Sequence, residues 1–177
     1  LNYARRLLLT GRATQVLCGA AEEYSHSRSW LEFHKRGESQ VMGEGCAMVL
    51  LEPAATAQNP LATLVAVESR MCLDGDTAGA VDAGIKRLLK ANGLAAADVW
   101  AAAGDEQPVL TEIFGDEVAS RVPSADLIGD TSSASALFQV AAVLSVAEVD
   151  PRSAGRYAVV TAVAEDESVA CALWRMT

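Results

Sequence analysis

The sequence predicts a layered α/β fold in which helices pack between and around mixed sheets. Short apolar runs typical of buried strands alternate with segments of helical periodicity. The order helix, glycine, strand and returning strand occurs twice, once over residues 1–52 and again near the C-terminus. The small, alanine-rich segment after Asp130 predicts a helix buried between layers, because small side chains allow close packing. The repeated order indicates a fold built by duplication.

The predicted strands are short apolar runs bounded by glycine, proline or charged residues. They cover residues 15–21, 43–52, 61–71, 99–103, 157–163 and 168–174. The clearest helix covers residues 78–92, where Val81, Ile85 and Leu89 share one face and Gly93 ends the pattern. Other predicted helices cover residues 1–11, 109–114 and 130–146. The polar segment between the first two strands, residues 22–43, is expected to be irregular.

Length and composition indicate one folded domain. The chain has 177 residues, of which 51% are hydrophobic, and this suffices for a sizeable core. Its 14 basic and 23 acidic residues give a net charge of −9, so we expect no nucleic-acid partner and no anionic membrane surface. No apolar run reaches the roughly 18 residues of a membrane span. No signal peptide is recognised, and the chain starts at Leu1 rather than Met, so it is either trimmed or preceded by something.

The cysteines and histidines do not form a recognisable site. No cysteine pair has the Cys-x-x-Cys spacing of a metal or redox site, so we expect four reduced, mostly buried thiols in a cytoplasmic protein, with no metal and no cofactor. The cysteines are Cys18, Cys46, Cys72 and Cys171. His26 and His34 could form a site with Glu22 or Glu23, but their polar, aromatic surroundings favour a surface or interface role.

The turn formed by Gly129, Asp130 and Thr131, with the apolar helix after it, resembles the second histidine motif of the β-ketoacyl synthases, in the thiolase-like superfamily. In that family a Gly-His-Thr turn opens a buried helix. The Gly-Glu-Gly sequence at residues 43–45, with the strand after it, resembles the strand that ends the family's first half. The resemblance covers nearly the whole chain. It implies a thiolase-like layered fold in one compact domain, with a truncated first half (residues 1–60) and a complete second half (residues 61–177).

The resemblance also implies where the family's catalytic residues would lie, and other residues occupy those positions. Ala103 stands at the first histidine, Asp130 at the second, and Ala125 near the lysine, while the nucleophilic cysteine would precede Leu1. Residues 164–167 replace the family's glycine-rich loop with its phenylalanine gate. A cysteine nucleophile needs an activating base or dipole, and decarboxylation needs donors at the developing enolate. Alanine and aspartate supply neither, so we expect no catalytic residues.

For three polar features we expect a structural role rather than a catalytic one. Asp130 is expected to cap the helix after it, since aspartate is among the best N-cap residues, and the alternative is that it lines a vestigial tunnel. Glu44 is expected to satisfy a turn before the second strand rather than to act as an acid. Residues 131–133 have no nearby histidine and no Gly-x-Ser-x-Gly elbow, which argues against a serine nucleophile.

The resemblance implies a non-catalytic subunit similar to the chain-length factors of type II polyketide systems, shaping or stabilising an active ketosynthase of a polyketide or fatty-acid complex. Two alternatives stay open: a structural scaffold or degenerate remnant without an acyl ligand, and an acyltransferase-type enzyme using residues not recognisable here. The expected partner is a ketosynthase subunit in a heterodimer, or a second copy of this chain, and acyl carrier protein is a further candidate. We also expect an unpaired edge and an uncovered apolar face on the sheet built by residues 14–21 and 46–52.

Overall fold

The computed structural model describes residues 1–36, 41–72, 74–123, 128–164 and 166–177. Its helices are α1 (Asn2–Leu9), α2 (His26–Arg36), α3 (Thr77–Ala91), α4 (Gln107–Phe114), α5 (Asp116–Ala119) and α6 (Ser135–Val149). Its strands are β1 (Val16–Glu22), β2 (Gly45–Leu51), β3 (Ala62–Met71), β4 (Val99–Gly104), β5 (Tyr157–Val163) and β6 (Ser168–Met176). Single turns of 3-10 helix occur at Ala96–Asp98, Ser132–Ala134 and Pro151–Ser153.

The strands form two sheets. Strands β1 and β2 make an antiparallel, two-stranded sheet, here called the ribbon, in which Leu17 pairs with Leu50 and Gly19 with Met48. The other sheet, here called the large sheet, has the strand order β3-β6-β5-β4. Strand β4 runs parallel to β5, whereas the β3–β6 and β5–β6 pairs are antiparallel. The large sheet is therefore mixed, as the sequence predicts.

Helix α6 lies between the two sheets. It contacts β2 of the ribbon on one side and β4 and β5 of the large sheet on the other. Val49, Val140 and Val160 belong to the core cluster that joins these three layers. Helix α6 is apolar almost all round, as expected for a helix covered on two sides.

A second core lies on the other face of the large sheet, under α3 and α4. Ile85 of α3, Leu110 of α4 and Leu173 of β6 are fully buried there. The order of layers is thus ribbon, α6, large sheet, and then α3 with α4. This order confirms the prediction of helices packed between and around mixed sheets. The division of the chain at residues 60 and 61 stays a prediction.

The order helix, glycine, strand, returning strand is present twice. We call α1, β1 and β2 the N-terminal unit, and α6, β5 and β6 the C-terminal unit. Gly11 follows α1 with φ +67°, and Gly155 precedes β5 with φ +72°. Both angles lie in the left-handed region that glycine adopts without strain, so a glycine of the same backbone conformation lies between helix and strand in both units. The connections themselves differ, because a 3-10 turn at Pro151–Ser153 separates α6 from Gly155. The two units match the duplication that the sequence indicates.

The expectation of an irregular segment over residues 22–43 is wrong, because α2 forms within it. Ser25 begins this helix, since its Oγ accepts the N–H of Arg28 at 3.2 Å. The large apolar residues of α2, Trp30, Leu31 and Phe33, are all more than half exposed. The helix therefore shows little of the buried apolar stripe on which a helix prediction depends. Residues 37–40 lie outside the described part of the chain.

Two expectations about apolar residues need comment. The stretch Ser132–Val149 is long and apolar enough, by length and composition, to cross a membrane. The expectation that no apolar run reaches this length is therefore wrong for this stretch, most of which forms helix α6 between the two sheets. The four cysteines are free, and burial raises the pKa of Cys171 to about 12. Cys72 is also buried and Cys18 is half-buried, but Cys46 is exposed on the ribbon, so the expectation of mostly buried thiols is wrong for Cys46.

Candidate functional site

The C-terminal end of β4 places Ala103 at the base of the candidate site. Ala103 is buried and pairs with Val160 of β5. The next residue, Gly104, has φ +123°, and a Cβ there would lie 2.0 Å from the carbonyl oxygen of Thr161. Only glycine permits this close approach between β4 and β5. The methyl group of Ala103 offers neither a proton acceptor nor a hydrogen-bond donor to the site.

Asp105 lies directly beyond this turn. Its Oδ2 accepts the N–H of Val163 at 2.8 Å, and its carbonyl oxygen accepts the hydroxyl of Thr161 at 2.8 Å. Burial raises the pKa of the Asp105 carboxyl; the Val163 hydrogen bond opposes this, and the negative charges of Glu106 and Asp130 raise it further. The Asp105 carboxyl is therefore bonded to the backbone of β5 and lies in the field of two other carboxylates.

Asp130 is held by its backbone against the chain that leads into β2. Its N–H donates to the carbonyl of Val41 at 2.8 Å, and its own carbonyl accepts the N–H of Gly43 at 2.9 Å. A Cβ on Gly43 would lie 2.3 Å from the carbonyl oxygen of Ile128, so the two segments pack too closely for a side chain there. The position of Asp130 is thus fixed by main-chain contacts.

The expectation that Asp130 caps the buried helix is wrong in its detail. Its Oδ1 accepts the N–H of Ser132 at 2.7 Å, which orders the turn leading into Ser132–Ala134. Helix α6 begins later, at Ser135, and its N-terminus has no side-chain cap. A short 3-10 turn separates the two, because Ser132 has φ +43° and cannot continue an α-helix.

Arg28 of α2 joins the elements around Asp130. Its Nη1 donates to the carbonyl of Gly43 at 2.9 Å, and its Nη2 to the carbonyl of Asp130 at 2.8 Å. Its Nε lies 3.3 Å from Glu22 Oε1, and its Nη2 lies 3.9 Å from Asp130 Oδ1. Ser133 donates its hydroxyl to Glu22 Oε2 at 3.0 Å. We call Glu22, Arg28, Asp130 and Ser133 the Arg28 cluster.

The three charged side chains of the Arg28 cluster are largely withdrawn from solvent, whereas Ser133 is exposed. The side chain of Arg28 is 12% exposed, that of Glu22 18% and that of Asp130 22%. Sequence reasoning missed Arg28 and Asp105. The signal for Arg28 was weak: an arginine a few residues after a strand that ends in two glutamates. Asp105 gave no signal of its own, because its burial depends on β5 lying beside β4.

The other residues named from the sequence have ordinary roles. Glu44 accepts the N–H of Tyr24 at 3.0 Å through Oε2, so it satisfies a backbone group just after β1 and not one in the turn before β2. His26 and His34 are exposed on α2. The ring of His34 lies 4.0 Å from that of Trp30, and its Nδ1 lies 2.8 Å from the Trp30 carbonyl. Both histidines therefore belong to the surface, as expected. Ala125 lies outside the described residues.

The site combines carboxyl groups with one arginine that is already engaged. Over the described ranges, no three His, Cys, Asp or Glu side chains are arranged to hold a metal ion. The hydroxyl of Ser133 donates to the carboxylate of Glu22, which is itself paired with Arg28, and not to an imidazole, which argues against its use as a nucleophile. The negative charges of Asp105, Glu106 and Asp130 oppose the approach of an anionic substrate.

No family model matches the chain, and no curated protein matches it. Among solved structures, the ishigamide ketosynthase/chain length factor is similar over 99% of this chain, with 43% identity and a TM-score of 0.94. The ketosynthase from module 6 of the bacillaene synthase of Bacillus subtilis 168 is similar over 99% of the chain, with 14% identity and a TM-score of 0.81. The 3-oxoacyl-(acyl-carrier-protein) synthase III of Aquifex aeolicus VF5 is similar over 98%, with 14% identity and a TM-score of 0.71.

These similarities confirm the resemblance seen in the sequence. This chain spans 52% of the ishigamide ketosynthase/chain length factor, 44% of the bacillaene ketosynthase and 62% of the synthase III. The two matches at low identity concern the fold alone, whereas the first extends to the sequence. The chain is β-ketoacyl synthase-like: it has the thiolase-like fold, and it is similar to about half of a ketosynthase/chain length factor.

Proposed function

We propose that the chain acts as a non-catalytic, chain-length-factor-like subunit of a type II polyketide or fatty-acid β-ketoacyl synthase complex, where it shapes or stabilises an active ketosynthase. The observation that carries this proposal is the pair Ala103 and Asp130. The resemblance puts these residues at the family's two catalytic histidines. In the structure one is a buried methyl group and the other a carboxylate beside Arg28.

The chemistry of condensation supports the proposal. Decarboxylation of a malonyl unit develops negative charge, and catalysis requires donors aimed at that charge. Asp130 brings a carboxylate that is coupled to Asp105. The donors of Arg28 are directed to Glu22 and to the carbonyls of Gly43 and Asp130. A cation engaged in this way stabilises the fold and leaves little to stabilise an enolate.

The ribbon supports a role in association. Its outer face carries Leu17, Met48 and Leu50, which are 64%, 61% and 54% exposed. Neither edge of the ribbon pairs with another strand in the part of the chain that the structure describes. Exposed apolar faces and open strand edges of this kind are normally covered by a partner. The ribbon therefore has the uncovered apolar face and the unpaired edges that the sequence predicts. The molecule that covers them is a matter for proposal.

We propose that an active ketosynthase covers this face, with a second copy of the chain as the substitute when no ketosynthase is present. The total buried area should be on the order of 2,000 Å², as in stable dimers. Acyl carrier protein would meet this complex through the ketosynthase subunit. The proposal places the complex in the cytoplasm, without a nucleic-acid or membrane partner, and treats residues 1–60 and 61–177 as parts of one compact domain.

The catalytic half of the proposal is tested by carbon dioxide release from malonyl-acyl carrier protein. The chain alone should match a no-protein control, while an active ketosynthase run in parallel gives a clear signal. The variant Asp130→His should also match the control, because Ala103 still supplies no second donor. Release above the control by the unmodified chain would contradict the non-catalytic assignment.

A further inference from the structure

A pocket of about 340 Å³ opens at the N-terminal end of β4, at the other end of this strand from Ala103. Its walls combine apolar side chains with three arginines. Those that carry the argument are Val99, Trp100, Phe114, Arg121, Arg152 and Arg156. A volume of this size suits a small organic molecule, and sites for such molecules typically pair apolar walls with a few polar groups.

Two of the arginines are held by acids. Arg121 is 12% exposed, lies with its Cζ 5.6 Å from the Trp100 ring centroid, and pairs with Glu117. Arg152 Nη2 lies 2.8 Å from Asp150 Oδ2, and its Nη1 lies 3.6 Å from Glu117 Oε1. Two of the three guanidinium groups are thus paired with carboxylates, which leaves one guanidinium charge without an ion-pair partner among the described residues.

That charge belongs to Arg156. Its Nε donates to the carbonyl of Asp98 at 3.2 Å, and its Nη2 donates to the carbonyl of Ala97. These two bonds fix the guanidinium at the pocket wall. Over the residues that the structure describes, no carboxylate pairs with Arg156 and its Nη1 donates no hydrogen bond. A positioned arginine with spare donors is suited to a carboxylate or phosphate oxygen.

We propose that this pocket binds a small organic anion that has an apolar body and a phosphate or carboxylate head. The body lies against Val99, Trp100 and Phe114, and the head is bound by Arg156. Glu117 stands at the rim, with a side chain that is 78% exposed, and it competes with the head for nearby guanidinium groups. The proposal is independent of the Arg28 cluster and of the catalytic state of the protein.

Isothermal titration calorimetry of the full chain with phenyl phosphate, at low ionic strength, tests the proposal. We expect saturable, equimolar binding, tighter than that of inorganic phosphate, which lacks the apolar body. Arg156→Gln should weaken binding about tenfold, as expected for the loss of a charge-assisted hydrogen bond. Glu117→Gln should tighten it several-fold, because it removes the competing carboxylate.

Arg87→Gln is the matched control, since Arg87 is an exposed arginine outside the pocket that pairs with Glu68 at 3.5 Å. It should leave the affinity unchanged. Absence of saturable binding at millimolar phenyl phosphate would overturn the proposal. Equal losses in Arg156→Gln and Arg87→Gln would overturn it too, since they would indicate general charge attraction. Circular dichroism shows whether Arg156→Gln is folded. If it is not, Glu117→Gln tests the site in its place, and binding of phenyl phosphate that is unchanged or weaker in this variant would overturn the proposal.

Discussion

The N-terminal and C-terminal units have the same order of elements but different surroundings. In β5 the neighbours Val159 and Val160 point to opposite faces, and both are buried, one under α3 and α4 and the other under α6. In β2 the neighbours Met48 and Val49 also point to opposite faces, but Val49 is buried under α6 while Met48 is 61% exposed. One unit is covered on both faces and the other on one.

The difference teaches that similar apolar strands reach different burial because of the layers around them. The strands of both units are rich in alanine and valine. The second cover of the C-terminal unit comes from α3 and α4, which contact the large sheet. No helix of the described chain covers the outer face of the ribbon. This is the physical basis for proposing a partner at that face.

The largest expected effect compares two leucine truncations in strands. Leu173→Ala removes a fully buried side chain from the face under α3 and should cost about 2–5 kcal/mol of unfolding free energy. Leu50→Ala removes a side chain that is 54% exposed on the ribbon and should cost about 0.5 kcal/mol or less in the monomer, at a chain concentration too low for self-association. Urea unfolding measures both values. Equal losses would remove the contrast between the two units.

The next effect concerns the Arg28 cluster, which joins the end of β1 to the turn that precedes α6. Arg28→Met should lower the unfolding free energy by about 1–3 kcal/mol, because the carbonyl of Gly43 and the carboxylate of Glu22 lose a largely buried donor. Arg87→Met is the control, since that arginine is 56% exposed and forms one ion pair. Urea unfolding should show a loss for Arg28→Met that clearly exceeds the control. Similar losses would mean that the Arg28 cluster contributes no more than a surface ion pair.

Much of the fold could be predicted from the sequence, for a reason visible in particular elements. Helix α3 places Val81, Ile85 and Leu89 on one buried face, and Asp76 caps it by accepting the N–H of Gly79. Such local signals are contained within one element. The strand at residues 168–174 likewise reads as an apolar run because both of its faces are covered.

The parts that escaped prediction depend on contacts between distant segments. Helix α2 exposes its large apolar residues and is tied down by Arg28, whose partners include Asp130, 102 residues away. Asp130 was named from its resemblance to a catalytic position, but its turn depends on Gly43 approaching Ile128. Neither arrangement has a local signature, so the resemblance located the site while only the structure gave its chemistry.

A smaller, pH-dependent effect contrasts the carboxyl of Glu22, at the end of β1, with that of Asp105, directly after β4. Glu22 of β1 has Arg28 beside it, whereas no cation of the described residues pairs with Asp105, which bonds to β5. Burial raises the pKa of Asp105 above its ordinary value of 3.8. The favourable contribution of Asp105 to the unfolding free energy is therefore complete below its ordinary pKa. That contribution is lost as the pH rises through the raised pKa of the folded state.

Asp105→Asn should consequently raise the unfolding free energy at pH near 7, since the amide oxygen can still accept the Val163 N–H without a charge. The gain should shrink as the pH falls toward 4, where the native carboxyl is protonated in a larger fraction of molecules. Urea unfolding at the two pH values measures this. A variant that is less stable than the native chain at neutral pH would contradict the assignment.

Asp150, the C-cap residue of α6, should give the opposite pH dependence of stability. Hydrogen bonds from Arg152, and a weaker contribution from Trp100, hold the pKa of Asp150 well below its ordinary value. Its contribution is present above the ordinary pKa and is lost as pH falls toward the lowered value. Asp150→Asn should lower stability at neutral pH, and the difference should narrow in acid. A difference that widens as the pH falls would reverse this interpretation.

Association with a ketosynthase tests the central claim most directly. Sedimentation velocity at low micromolar concentration would follow the chain with and without an active ketosynthase from the same organism. We expect an equimolar complex, self-association of the chain alone, and loss of both in Met48→Glu, which charges the outer face of the ribbon. Val149→Glu is the control, because Val149 is 80% exposed at the end of α6, and it should still associate. A folded, stable monomer that does not bind the ketosynthase would contradict the claim that a partner covers the ribbon.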